Sequence, residues 1–176
     1  MPAKYPSDWE RSAETRDGTP FHIRPIRPDD EDRERRFIIQ LSPESRYRRM
    51  MNAMREAPPE LVHRFVNVDY DRDMAFVASI GDPPDEEIIG VARYAHDVQG
   101  PDCEFAVVVA DVWQARGVGA TLMGVLFEYA HSKGVHRLHG DILADNAKMI
   151  DLAHWLGMNT TLCADDQCLV QTSRDV

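Results

Sequence analysis

The spacing of apolar residues changes character several times along this chain, and each change marks an element. Residues 1–10 are mostly polar and read as a loose leader. Asp17-Gly18 is a tight-turn pair that predicts a hairpin between Arg11–Arg16 and the alternating Phe21–Ile26. Pro25 and Pro28 supply no ladder donor, so the second of these strands is expected at a sheet edge and short. Asp29-Asp30 offers an N-cap to a helix through Phe37, Ile38 and Leu41 that ends near Ser42-Pro43. Pro43–Met54 interleaves arginines with Tyr47, Met50, Met51 and Met54, and after Pro58-Pro59 the segment Glu60–Val66 predicts another short helix.

The period then shifts from helical to extended. Met74–Ile80, Ile88–Tyr94 and Cys103–Ala110 are apolar, β-prone runs separated by turns at 81–85 and 99–102. From Gly117 to Lys133, Val118, Leu122, Val125, Leu126 and Tyr129 recur at three and four, a helix that Gly134 closes. Leu138–Leu143 is strand-like. Asp145-Asn146 caps a last helix with Met149, Leu152, Ala153 and Leu156 on one face, and Gly157 ends it. Thr160–Cys163 and Cys168–Thr172 read as two short strands. The order is that of a mixed α/β (α+β) chain around one twisted sheet. Residues 17–176 are expected to form a single domain, preceded by a leader and a possible extra strand over residues 1–16.

Composition narrows the function. The 176 residues carry a net charge of −10, which repels nucleic-acid phosphates and anionic lipid and either suits a cationic substrate such as an amine or serves simply as a solubilising surface. No apolar run approaches the ~20 residues of a membrane span. Cys103, Cys163 and Cys168 form no disulfide framework and no C-x-x-C pair, so a reducing, cytoplasmic compartment is expected and no metal site.

The most informative segment runs from Cys103 to Ala120. A buried strand leads through Gln114-Ala115-Arg116-Gly117-Val118-Gly119 directly into a helix. Glycines there let backbone approach a ligand, and the unpaired N–H groups of the helix start favour negative charge. A strand–glycine loop–helix unit is therefore a pyrophosphate site, with an ordinary capped turn as the alternative that two glycines alone leave open. No G-x-x-x-x-G-K-[ST] and no G-x-G-x-x-G is present.

Gln114-x-x-Gly117-x-Gly119 after such a strand resembles the acyl-CoA signature of the GNAT acetyltransferases, and Asn146 ahead of Gly157-Met158 resembles their asparagine and closing glycine pair. The segments IRPIRPDD, LSPESRYRRM, VDYDRDMAFVAS, IIGVARY, EFAVVV and WQARGVGATLM together resemble the acetyltransferase domain of Pat-type protein lysine acetyltransferases, over roughly residues 17–170. Enzymes of that type often carry an additional regulatory domain, for which this chain is expected to have no room.

The resemblance implies the GNAT fold, a central twisted, mostly antiparallel sheet with flanking helices. The sheet splays between the strands the family counts as fourth and fifth, beside the central fourth strand, here Cys103–Ala110. It implies acetyl-CoA as cosubstrate, with Val107 and Val109 bonding pantetheine through the main chain. Gln114, Arg116, Gly117, Val118, Gly119 and Ala120 would hold the pyrophosphate, mostly through N–H groups, with the Arg116 side chain either adding charge to a phosphate or solvated, and Asn146 would reach the pantetheine arm or serve simply as a helix cap. It implies a protein lysine acceptor, of the kind found in acyl-CoA synthetases. A small amine such as a polyamine or aminoglycoside is the alternative, and a non-catalytic acyl-CoA sensor a third.

Amine acetylation needs a neutral nucleophile, and at neutral pH only about one lysine in a thousand is deprotonated. Glu104 is the lone charge in its apolar strand, where a carboxylate drawn out of water becomes a stronger base; a glutamate at the strand start facing water is the alternative. The matching glutamate is the general base in Pat-type domains, so resemblance and chemistry agree. A tyrosine common in the last helix of GNAT enzymes is replaced here by Ala153, which leaves the general acid to solvent. His96, His139 and His154 are further candidates for proton transfer, each with a structural alternative. The Arg46–Arg55 stretch could be an anion or nucleic-acid site, but with Tyr47 and three methionines interleaved it is expected to form an amphipathic helix that shapes the acceptor groove. Asp69, Asp71 and Asp73 could attract a cationic lysine or form a solvated turn.

Overall fold

The computed structural model describes residues 4–51, 53–98 and 100–176; residues 1–3 of the expected leader, Asn52 and Gln99 of the expected turn lie outside them. Eight strands form one sheet: β1 (Arg11–Glu14), β2 (Pro20–Pro25), β3 (Asp73–Ile80), β4 (Glu87–His96), β5 (Cys103–Val109), β6 (Arg137–Leu143), β7 (Asn159–Leu162) and β8 (Leu169–Asp175). Their order is β1-β2-β3-β4-β5-β6-β8-β7. Each neighbouring pair is antiparallel except β5 and β6, which are parallel.

Helices cover both faces. On one lies α4 (Val118–Ser132), whose Leu122, Met123, Leu126 and Tyr129 bury against Phe76, Tyr94 and Leu138 of the sheet. On the other lie α1 (Glu31–Gln40), α2 (Pro43–Met50) and α3 (Pro59–Val66). Phe37, Ile38, Val62 and Val66 of that layer meet Ala75, Val77 and Val91. The period-2 alternation of β3 and β4 feeds both cores at once, which is why these strands read as continuous apolar runs. The last helix, α5 (Ala147–Trp155), follows β6.

Three expectations are corrected. Residues 4–10 are not loose, because Trp9 sits edge-on to Tyr129 with ring centroids 5.0 Å apart and Tyr5 edge-on to Tyr70 at 5.9 Å. The strand β2 is not an edge, since β1 pairs with it along Arg11–Glu14 and takes the edge instead. Pro20 and Pro25 fall at its two ends, where a missing donor costs little. Asp30 makes no N-cap hydrogen bond to α1. Its carboxylate is fully buried and accepts from both terminal nitrogens of Arg24 at 2.7 Å, while Glu86 accepts from Arg24 at 2.9 and 3.0 Å. Burial alone would raise both carboxyls, but the Arg24 hydrogen bonds overcome it and hold Asp30 and Glu86 below the usual range.

Candidate functional site

The site begins where the sheet parts. The strands β5 and β6 stay in register for two pairs only, Cys103↔Leu138 and Glu104↔His139. At the next position Gly140 is what lets them touch, since a Cβ there would stand 3.1 Å from the Phe105 carbonyl oxygen. Beyond it β6 turns away to pair with β8 along its whole length, and β5 continues with β4. The Ala110 N–H donates to Ile89, so by antiparallel alternation Val108 and Ala106 face β4. The main-chain groups of Val107 and Val109 then face the gap. One of them is engaged, because the Val109 carbonyl accepts from the Gln114 side chain at 3.1 Å.

The gap opens into a cleft of about 730 Å³. At one end Ala115 and Gly117 take φ of 58° and 94°, and α4 starts at Val118 with no side-chain cap. Positive φ is cheap for glycine, and the N–H groups of Val118, Gly119 and Ala120, in the first turn of the helix, lack intrahelical partners. Gly117, Gly119 and Ala120 line the cleft, whereas the Val118 side chain is buried in the core. Asn146 also lines it, and its Oδ1 accepts from the Met149 N–H at 3.3 Å, so it does cap α5. Donor groups and arginine and lysine side chains converge here beside an apolar strand edge. These residues fit an elongated thioester whose middle is amide-bearing and whose far end is a diphosphate.

Two signature side chains are bonded within the protein, although Gln114 also lines the cleft. The Arg116 guanidinium bonds Asp17 at 2.7 Å and Thr19 at 3.0 Å, lies 4.4 Å from the Trp113 ring centroid, and is not part of the cleft wall. The Gln114 amide donates to Ser45 and Val109, both at 3.1 Å, tying α2 to the end of β5.

Glu104 opens into the other end of the cleft. It is exposed, not buried: alternation sends Cys103 and Phe105 into the core and Glu104 to the opposite face, where the sheet has begun to part. The expectation of burial is therefore corrected, and what distinguishes Glu104 is its position. Across the parting, its register partner His139 is held by Asp97 at 2.9 Å. Behind it lies a group of charges that pattern reading missed. Glu34 is buried and 3.6 Å from Arg93, whose guanidinium packs 4.1 Å from the Phe65 ring centroid. Burial raises the Glu34 carboxyl and lowers Arg93 to about 10. Burial also lowers Arg49, against the pull of Glu34 and Glu104. The signal was available, because Glu34 precedes Phe37 and Ile38 by three and four on the buried face of α1.

Of the other candidates, Ala153 is fully buried, His154 bonds Thr160 and His96 bonds the Arg72 carbonyl. Asp69 accepts from the N–H groups of Asp71, Arg72 and Asp73, a turn-forming role. Arg46 donates to four carbonyls, those of Ile39, Leu41, Met54 and Arg55, and so holds the loop after α2 rather than an anion. Arg16, Ser45, Asp141 and Lys148 line the cleft without having been singled out in the sequence. Among the described residues no three His, Cys, Asp or Glu gather as a metal site, and no helix is long and apolar enough to cross a membrane.

The acetyltransferase (GNAT) domain profile matches residues 21–159. The chain belongs to the GNAT acetyltransferases. It is 36% identical over 162 residues to an acetyltransferase of Pseudomonas aeruginosa, covering 92% of this chain and 86% of that one. It is 30% identical over 164 residues to the acetyltransferase Pat of Mycolicibacterium smegmatis, covering 93% of this chain but only 48% of that longer protein. The solved GNAT domain of S. lividans PAT superposes with a TM-score of 0.90 at 29% identity, covering 98% of this chain and 100% of that one. This GNAT protein is an acetyl-transfer enzyme of a fold that uses acetyl-CoA. The splay falls between β5 and β6, whose parallel register ends after two pairs.

Proposed function

We propose that this GNAT enzyme moves the acetyl group of acetyl-CoA to a protein lysine, with Glu104 as general base. The observation that carries this is the cleft itself. It offers the main-chain edge of Val107 and Val109 in the middle, the glycine loop at one end and an exposed carboxylate at the other. Val107 and Val109 would bond the pantetheine amides and the N–H groups around Gly117–Ala120 the diphosphate, while Asn146 closes the wall beside them. Bound there, acetyl-CoA supplies the activated acyl group.

The protein's own task is to deliver a neutral amine. Deprotonating a lysine at neutral pH costs roughly 4 kcal/mol. Glu104 lines the cleft with its carboxylate exposed, and takes the proton of an incoming ammonium directly or through water. Asp141 shares that wall and adds attraction for a cation. The net charge of −10 favours encounter with a basic surface around the lysine, which suits a folded protein such as an acyl-CoA synthetase. Cys103, Cys163 and Cys168 are free thiols, which suits the cytoplasm.

The test is to incubate the enzyme with acetyl-CoA and candidate synthetases, then locate modified lysines by mass spectrometry. Acetylated lysines above the enzyme-free control, at a rate that falls as salt is added, are expected. Turnover of spermidine or an aminoglycoside with no protein modified would replace the lysine reading with the small-amine one. Binding without any thiol release would make the protein a sensor.

A further inference from the structure

The residue that the signature points to as a phosphate ligand, Arg116, faces the wrong way. Its guanidinium is held by Asp17 and Thr19 and stacked on Trp113, so it closes the β1–β2 hairpin onto the glycine loop from outside. The main chain reinforces that closure, with the Arg16 N–H donating to the Arg116 carbonyl at 2.9 Å.

The consequence is a substitution in space. Arg16, at the tip of the hairpin, lines the cleft. Its Cγ and Nε lie 3.5 and 3.9 Å from the point where a Cβ on Gly117 would stand, so the side chain crosses the face of the glycine loop. Unlike Arg116, it is exposed and makes no side-chain hydrogen bond or ion pair among the described residues. The nearest carboxylate on its own turn, Asp17, is paired with Arg116 and accepts a hydrogen bond from the Thr15 hydroxyl. The first-turn N–H groups of α4 start at the same loop. Lys148 reaches the loop from α5, its Nζ 3.5 Å from the Gln114 side-chain oxygen.

We propose that Arg16 is the guanidinium that binds the cofactor's diphosphate, and that Arg116 serves to hold the hairpin which presents it. Arg16 lies outside residues 21–159, the stretch that the GNAT profile matches. The inference rests on acetyl-CoA occupying the cleft as proposed above. An unpaired guanidinium beside uncapped N–H groups forms a fork of donors matched to two phosphate oxygens.

Calorimetry tests it with acetyl-CoA, its 3′-dephospho form and S-acetylpantetheine, on wild type, Arg16→Ala and Arg16→Lys. Arg16→Ala should weaken both nucleotide forms by the same factor, about 10–100-fold for a lost charge-assisted bond. It should leave S-acetylpantetheine unaffected and flatten the salt dependence of binding. Arg16→Lys should recover part of the affinity, and thermal unfolding should be unchanged, because the side chain supports nothing in the fold. Equal affinity in Arg16→Ala and wild type would overturn the assignment. So would a loss confined to the 3′-phosphorylated form, or one that extends to S-acetylpantetheine. Failure of wild type to bind acetyl-CoA would instead remove the cofactor site itself, a result distinct from any seen only in the variants.

Discussion

Glu104 faces water on one side and the cleft on the other, with Arg49 near and His139 across the parting strands. A base in that position need not be buried, because it has only to meet the ammonium and return the proton to solvent. Glu104→Gln keeps the shape and removes the basicity. With chemistry rate-limiting, kcat should fall about 10²–10⁴-fold while acetyl-CoA affinity by calorimetry stays put. A fall of less than about threefold would reassign the base. Gly117 is constrained differently. At φ of 94° a β-branched residue is strongly disfavoured, so Gly117→Val should abolish acetyl-CoA binding while circular dichroism reports an intact fold.

At the scale of elements, function depends on where β5 and β6 stop pairing. Gly140 sits at that hinge against the Phe105 carbonyl and ring, both within 3.1 Å of where a Cβ would be placed. Gly140→Ala must push the strands apart at their last contact. It should cost about 1–3 kcal/mol in denaturant unfolding, as overpacking does, and should change the acetyl-CoA affinity, because the cleft starts there. The N-terminal turn is a second such case. Trp9 packs on Tyr129 and Phe76, so Trp9→Ala should lower stability by about 1–3 kcal/mol, and a loose leader would show no change in the melting temperature.

For the whole molecule, the Arg24–Asp30–Glu86 group joins β2, the start of α1 and the entry to β4 inside the protein. Both carboxyls are held below their usual values, so their contribution is present above the unfolded values of about 3.9 and 4.3 and is lost as pH falls below them. Arg24→Met strands two buried carboxylates and should cost about 3–5 kcal/mol at pH 7. Protonation relieves the variant while it weakens the wild type, so the gap in melting temperature should narrow between pH 7 and pH 4. A gap that widens toward acid would show that the group does not stabilise the fold.

Periodicity and turn chemistry located nearly every element in the sequence, because those signals are local. Val118, Leu122, Val125 and Tyr129 outline α4 by spacing alone, and Asp17-Gly18 sets the hairpin. The glycine loop was equally legible, since a strand, a Gln114-x-x-Gly117-x-Gly119 run and a helix follow one another along the chain. What local pattern could not contain was direction and company. Whether Arg16 or Arg116 enters the cleft depends on Asp17, Thr19 and Trp113, which fix one guanidinium and leave the other free. Whether Glu104 is buried depends on β6 departing one residue later, a matter of how β8 draws that strand away. Asp30 looked like a cap because capping is a local act. It became one arm of a buried three-member ion group because Arg24 of β2 reaches it and binds Glu86, at the entry to β4, with the same guanidinium, and that proximity exists only once the sheet has formed.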